Sequence, residues 1–262
     1  MFKKKEIFYL VISIIVMGLA LGFDDGAEVF NFGFWITNMF WIMVMVGFSF
    51  TLHQLAHKWV AKIHGFQTEY QFWGIQTFSF SPMSLSKRDK PFPRKVKIFG
   101  KNVIIESFPV GIVLSLLLTL LSNGVLFFLA VGQYNLLFKT GSRIGRKYIE
   151  VTDFEEAKIA LAGPMVHILL MLIASFFNSY GTLDTFIFIN AALAIFYMLP
   201  IHKLDGTKVF MGSPALYITS MVFMIFTIVL VYFLPVIPLL IISGIATVIA
   251  GSLFYYFVYY KF

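Results

Sequence analysis

The chain has 262 residues, 59% of them hydrophobic and 13% charged, with a net charge of +7 and no cysteine. Soluble domains carry roughly 25% charged residues, so this composition excludes an ordinary soluble fold and points to a polytopic membrane protein. The lack of cysteine excludes disulfides and thiolate metal ligands, and the basic excess comes without an aromatic stacking platform or basic fold, so no nucleic-acid partner is expected.

The first apolar run, Ile7 to Phe23, follows Lys3-Lys4-Lys5. It is long for the apolar part of a signal peptide, and no small-residue cleavage site precedes Asp24, so it reads as a retained span. A second run from Phe34 to Phe50 continues as a helical pattern to about Ile63. Next come two stretches that read as strands. Gln67 to Ser81 alternates in part, with Trp73-Gly74 as a turn, and Val96–Phe99 and Val103–Ile105 flank a hairpin signal at Gly100-Lys101-Asn102. A third apolar zone, Phe108 to Phe138, is broken by Asn123-Gly124, a turn signal. Each half is too short for the ~20 residues of a full crossing, which predicts a helical hairpin, either re-entrant or of two short tilted helices. Later runs extend from Ile159 to Phe177, Thr185 to Leu199, Pro214 to Leu234 and Val236 to Tyr260, the last two parted by Pro235 and Pro238.

The expected fold is an all-α polytopic membrane protein. It has about six transmembrane helices plus a short helical hairpin, with a small membrane-associated β-sheet between the second span and the hairpin. One membrane-embedded domain, 1–262, is expected, with a core at 34–209 and peripheral spans at 7–23 and 214–260. Charge supports the returning hairpin. With the amino terminus in the cytoplasm, all 20 Lys and Arg fall on that side, and the other side holds only Asp24, Asp25, Glu28 and Asp184. That is a positive-inside pattern with both termini cytoplasmic; a single crossing at 108–138 would move Lys139 to Lys158 outside.

The strongest chemical signal is His53-Gln54-Leu55-Ala56-His57, at the end of the second span. Positions i and i+4 share a helix face, and two imidazoles so placed fill two corners of a tetrahedral zinc site. Histidine within a span is costly and marks function. The third ligand expected is Asp205, in Leu199-Pro200-Ile201-His202-Lys203-Leu204-Asp205-Gly206, which the topology returns to the same depth and side. Three protein ligands leave one position of a single Zn2+ open for water. Pro200 and Gly206 break the helix there, which is tolerated at membrane depth only under cover of protein or a water cavity.

Leu52-His53-x-x-x-His57, Ala162-Gly163-Pro164, and Leu199-Pro200 followed by Leu204-Asp205-Gly206 resemble, in order and spacing, the site-2 protease family of intramembrane zinc metalloproteases, peptidase family M50. The similarity covers roughly Phe34 to Val209. It implies zinc on two His and one Asp, and cleavage of transmembrane segments of other membrane proteins within the bilayer. Without a PDZ insert or CBS module, the chain is similar to a minimal member, in the cell membrane of a prokaryote. It departs from the family in three ways. Gln54 stands where the family has a general-base Glu. An amide cannot accept the proton that the Glu takes from water and later delivers, so this chain is expected to hold metal yet be inactive. It would be either an engineered, trapped enzyme or a natural pseudoprotease that grips membrane segments without cutting them. Tyr197 stands where the family usually has Asn; its hydroxyl is a candidate oxyanion contact, with an interfacial aromatic as the plain alternative. His167 and His202 replace residues that are usually Asn and Pro; His167 reads as polar packing between helices, and His64 as an exposed loop residue. Substrate delivery is expected by strand addition at the edge of Gln67 to Ser81, with the last spans as a lateral gate. An ion transporter would spread charged groups over several spans and show inverted repeats, and the ionisable groups here converge instead.

Overall fold

Twelve elements make up the described residues, which are 2–75, 94–98, 101–105, 107–138 and 151–259 of a computed structural model. The chain begins with α1 (Lys4–Gly22) and α2 (Phe32–Ile63), the latter capped by Asn31, whose side chain accepts from the Phe34 amide. At ~1.5 Å per residue α2 exceeds the ~30 Å of a hydrocarbon core. Then follow β1 (Phe66–Phe72), β2 (Arg94–Ile98), β3 (Lys101–Ile105), α3 (Val110–Leu121) and β4 (Gly132–Phe138). The chain ends with α4 (Asp153–Phe177), α5 (Asp184–Met198), the short α6 (Asp205–Gly212), α7 (Pro214–Leu230) and α8 (Val236–Tyr259). Four helices, α1, α2, α4 and α8, are long and apolar enough to cross a membrane, and α3, α5 and α7 are shorter apolar helices. Exposed Phe40, Trp41, Phe48, Ile241, Ile245 and Val248 on α2 and α8 give these helices apolar outer faces, as expected where lipid is the solvent.

The expected hairpin of β2 and β3 forms, Arg94 pairing with Ile105 and Ile98 with Lys101. Residues 76–81 of the other expected strand lie outside the described set, as do the basic residues Lys87, Arg88, Lys90, Lys139, Arg143, Arg146 and Lys147.

The zone 108–138 is not a helical hairpin. Its first limb is α3, and the turn lies where expected, with Asn123 and Gly124 at φ 54° and 88°. The return limb is extended, and from Gly132 it becomes β4, antiparallel to β1 from Phe66↔Phe138 to Phe72↔Gly132. The sheet therefore includes the hairpin rather than preceding it. A returning helix would satisfy its own backbone; this limb uses neighbours instead. Trp73 N donates to Val131 O at 2.9 Å and Gly111 N to Trp73 O at 3.1 Å, and Phe128 to Val131 are buried under other protein. Such cover is what allows irregular backbone in an apolar setting.

The other side of β1 is also spoken for. The buried Glu6 carboxylate accepts from Tyr70 N at 2.9 Å and pairs with Lys58 Nζ at 2.6 Å, and Lys58 also donates to Thr68 O at 2.8 Å. With β4 along one edge and α1 and α2 side chains on Thr68 and Tyr70, strand addition to this part of β1 is closed.

Candidate metal centre

The centre lies at the seam of two apolar clusters. One, with Phe50, Tyr70, Leu193 and Tyr197, packs α1 and α2 against α5; the other, with Tyr134, Ile159, Ile168 and Met198, packs α4, α5 and α7. His53 and His57 project from α2 into this seam, His53 stacked on Phe50 (centroids 5.6 Å apart) and His57 tilted against Tyr134 (4.5 Å). Asp205 opens α6, held close to the end of α5 because Gly206 has no side chain; a Cβ there would overlap the Met198 carbonyl. His53, His57 and Asp205 are each at most 2% exposed.

Their ligand atoms converge. The two Nε2 atoms are 3.0 Å apart, and Asp205 Oδ2 is 3.2 Å from each. Bonds of ~2.0–2.1 Å at a tetrahedral ion place ligand atoms about 3.3–3.4 Å from one another, close to this triangle. The hydrogen-bond roles agree with a cation. His57 Nδ1 donates to the Ile159 carbonyl at 2.7 Å, which leaves its Nε2 a bare lone pair in the neutral ring. Facing it are a carboxylate and a second imidazole, so a single proton cannot satisfy all three atoms, whereas a divalent ion can. Space is kept as well: a Cβ on Gly163 would lie 2.5 Å from both His57 Nε2 and His53 Cε1. These residues fit a metal ion, and they form a group able to hold one.

Pro164, inside α4, offers no N–H, so the carbonyl four residues back, that of Ala160 next to Ile159, has no helical donor. On the other side of the centre, Lys208 donates to Tyr134 O at 2.7 Å, covers the Tyr134 ring and lies 3.8 Å from Glu156. Burial pushes the Lys208 ammonium down to about 8, opposed by the Asp205 and Glu156 carboxylates.

Of the other residues singled out in the sequence, Gln54 is buried beside the two histidines on α2. Tyr197 is brought to the centre, its ring 4.6 Å from that of His53 and its hydroxyl buried beside the Gly132 backbone amide. His202 is exposed, and only its carbonyl is used, accepting from Trp73 Nε1 at 2.6 Å. His64 is part-buried rather than exposed, 3.8 Å from Glu155. Sequence reasoning missed Tyr134, the Ile159 carbonyl and the spatial role of Gly163. Only Gly163 left a trace, in the Ala162-Gly163-Pro164 motif.

No protein-family model matches the chain, and no solved structure does. The chain is similar to a protein of Methanocaldococcus jannaschii named "Putative zinc metalloprotease", 26% identical over 223 residues, which cover 81% of this chain and 87% of that protein.

Proposed function

We propose that the chain is a zinc metalloprotease of the site-2 type that acts on peptide bonds in or near transmembrane segments of other membrane proteins, and that Gln54 leaves it inactive or nearly so. The observation that carries this reading is the convergence of His53, His57 and Asp205 within a chain that has four helices able to cross a membrane. The named zinc metalloprotease relative supports the activity class and the metal. The chain is placed in the cell membrane with about six spans and both termini in the cytoplasm, α5 and α7 counting as short crossings.

Zinc on these three side chains would supply Lewis acidity and make a nucleophile of water at neutral pH. The chain's own residues do the rest. The Ile159 carbonyl holds the His57 ring in one tautomer and orientation. The Tyr197 hydroxyl, whose oxygen faces the Gly132 amide, keeps its O–H to donate to a scissile carbonyl as it gains charge. Position 54, adjoining His53, is where a carboxylate would take a proton from water and return it to the leaving amine. Gln54 keeps nearly the same shape and cannot do this, which lowers turnover by the ~10²–10⁴ of general acid–base catalysis. Gln54 also favours a second reading, a pseudoprotease that binds membrane segments without cutting them.

The test is metal analysis and proteolysis on the purified full chain. The parent should hold one zinc per chain, and His53→Ala and Asp205→Ala none. Gln54→Glu should gain cleavage of a transmembrane peptide. Stoichiometric zinc without gained cleavage would support the pseudoprotease; zinc retained in both alanine variants would overturn both readings.

A further inference from the structure

A third histidine faces the centre. His167, on α4, is fully buried, and its ring centroid lies 4.9 Å from that of His53. Its Nδ1 is 3.0 Å from Asn190 Oδ1, while the Asn190 amide nitrogen donates to the Phe186 carbonyl at 2.9 Å. The amide is thereby held with its oxygen toward the ring. Because that oxygen only accepts, Nδ1 of His167 carries the proton and Nε2 keeps a lone pair. Nε2 is buried and has no hydrogen-bond partner. Leaving such an acceptor unpaired is costly, so its position calls for a donor.

The direction of the ring follows from helix geometry. Gly163 and His167 are one turn apart on the same face of α4, and a helical side chain leans over the turn that precedes it. His167 therefore leans toward Gly163, the residue whose missing side chain leaves room beside His57 Nε2 and His53 Cε1. The close set of ligand atoms is His53, His57 and Asp205, without His167, so His167 is neighbour to the set rather than part of it.

We propose that His167 Nε2 accepts a hydrogen bond from the molecule that completes the metal set, and so favours a proton-bearing occupant such as water over one with lone pairs alone. This rests on the metal reading above.

The test uses the full chain in detergent, loaded with Co(II), whose visible absorption reports the ligands around it. Azide, which has only lone pairs to offer, is titrated into the parent, His167→Phe and Asn190→Leu. His167→Phe keeps the ring and removes the acceptor. Asn190→Leu frees Nδ1, so the proton can move to Nε2. All three proteins should bind one Co(II). Azide should bind about two- to tenfold more tightly in His167→Phe, the range set by one lost hydrogen bond to the displaced water. It should bind at least as much more tightly in Asn190→Leu, where Nε2–H would donate to it. Equal azide affinity in parent and His167→Phe, with Co(II) bound in both, would overturn this inference and leave the metal reading standing. A parent that binds no Co(II) would overturn both. Should His167→Phe fail to fold, Asn190→Leu decides alone: unchanged azide affinity there overturns the proposal.

Discussion

Gly163→Ala isolates the space around the metal set from the ligands themselves. In an ordinary helix this change gains about 1 kcal/mol of helix propensity, so nothing in the backbone argues against it. The new Cβ, however, would lie 2.5 Å from His57 Nε2 and from His53 Cε1, and 2.6 Å from His53 Nε2, where ordinary contact begins at 3.4 Å. One or both rings must retreat by about 0.9 Å, several times the ~0.2 Å tolerance of a metal–ligand distance. His57 has little freedom to do so, since its Nδ1 is tied to Ile159 on the same helix as the new methyl. Zinc affinity should fall by on the order of 100-fold or more, at or beyond the upper range for loss of a supporting contact. Competition against a chromogenic chelator measures this, and thermal unfolding of the metal-free protein should show the ~1–3 kcal/mol of overpacking less the about 1 kcal/mol gained in helix propensity. Gly244→Ala, where a Cβ meets nothing within 4 Å, is the control. Zinc affinity within about threefold of the parent's, in a folded Gly163→Ala protein, would refute the placement of the ion between these rings.

Three further outcomes follow from other contacts. Gly206→Ala would drive a methyl into the Met198 carbonyl; overpacking of this kind costs ~1–3 kcal/mol, and thermal unfolding in detergent should show it along with weakened zinc binding through Asp205. Glu6→Ala leaves Lys58 without its carboxylate and Tyr70 N without its acceptor, a change in the ~3–5 kcal/mol class for a broken buried pair. Lys58→Ala combined with it should cost less than the two singles summed, and a strictly additive cycle would show that the pair is not coupled. Asn190→Ala should leave zinc stoichiometry intact while releasing His167 Nδ1, visible as a changed ring exchange or tautomer signal in nitrogen NMR of labelled histidine; an unchanged signal would argue against the orientation assigned to that ring.

Much of the centre was legible because its signals are local. A four-residue spacing puts His53 and His57 on one face whatever the rest of the chain does, and an aspartate between a proline and a glycine at a span's end stands out against 59% hydrophobic residues. The return limb of the 108–138 zone was not legible. Val125 to Val131 is wholly apolar, and such a run has no period to separate a buried strand from a short buried helix. What decides it is the partner backbone at Trp73 and β1, far away in sequence. The same holds for β1 itself. Its alternation announced a strand, but nothing in its own residues told that Glu6 and Lys58 would occupy its outer groups. Ile159 contributes only a backbone carbonyl, which no side-chain motif can announce.

The assembly also explains why, under the proposed function, Gln rather than a general-base Glu at position 54 leaves the His53, His57 and Asp205 group undisturbed. His53 and His57 are placed by the face of α2, the carbonyl of Ile159 and the rings of Phe50 and Tyr134; Asp205 is placed by the glycine contact of α6 with the end of α5. None of these supports involves the chemistry of the residue-54 side chain. Glu and Gln differ there by one terminal group of nearly equal size, so either fits the same pocket, and only the carboxylate can carry a proton. Under the proposed function, metal binding and turnover are therefore separable. The three ligand atoms are brought together by geometry that distant elements build, and the proposed reaction would depend on one side-chain terminus that the fold does not need. Gln54→Glu should accordingly restore cleavage with zinc affinity and melting temperature unchanged; activity gained only together with tighter metal binding would mean that position 54 belongs to the metal set after all.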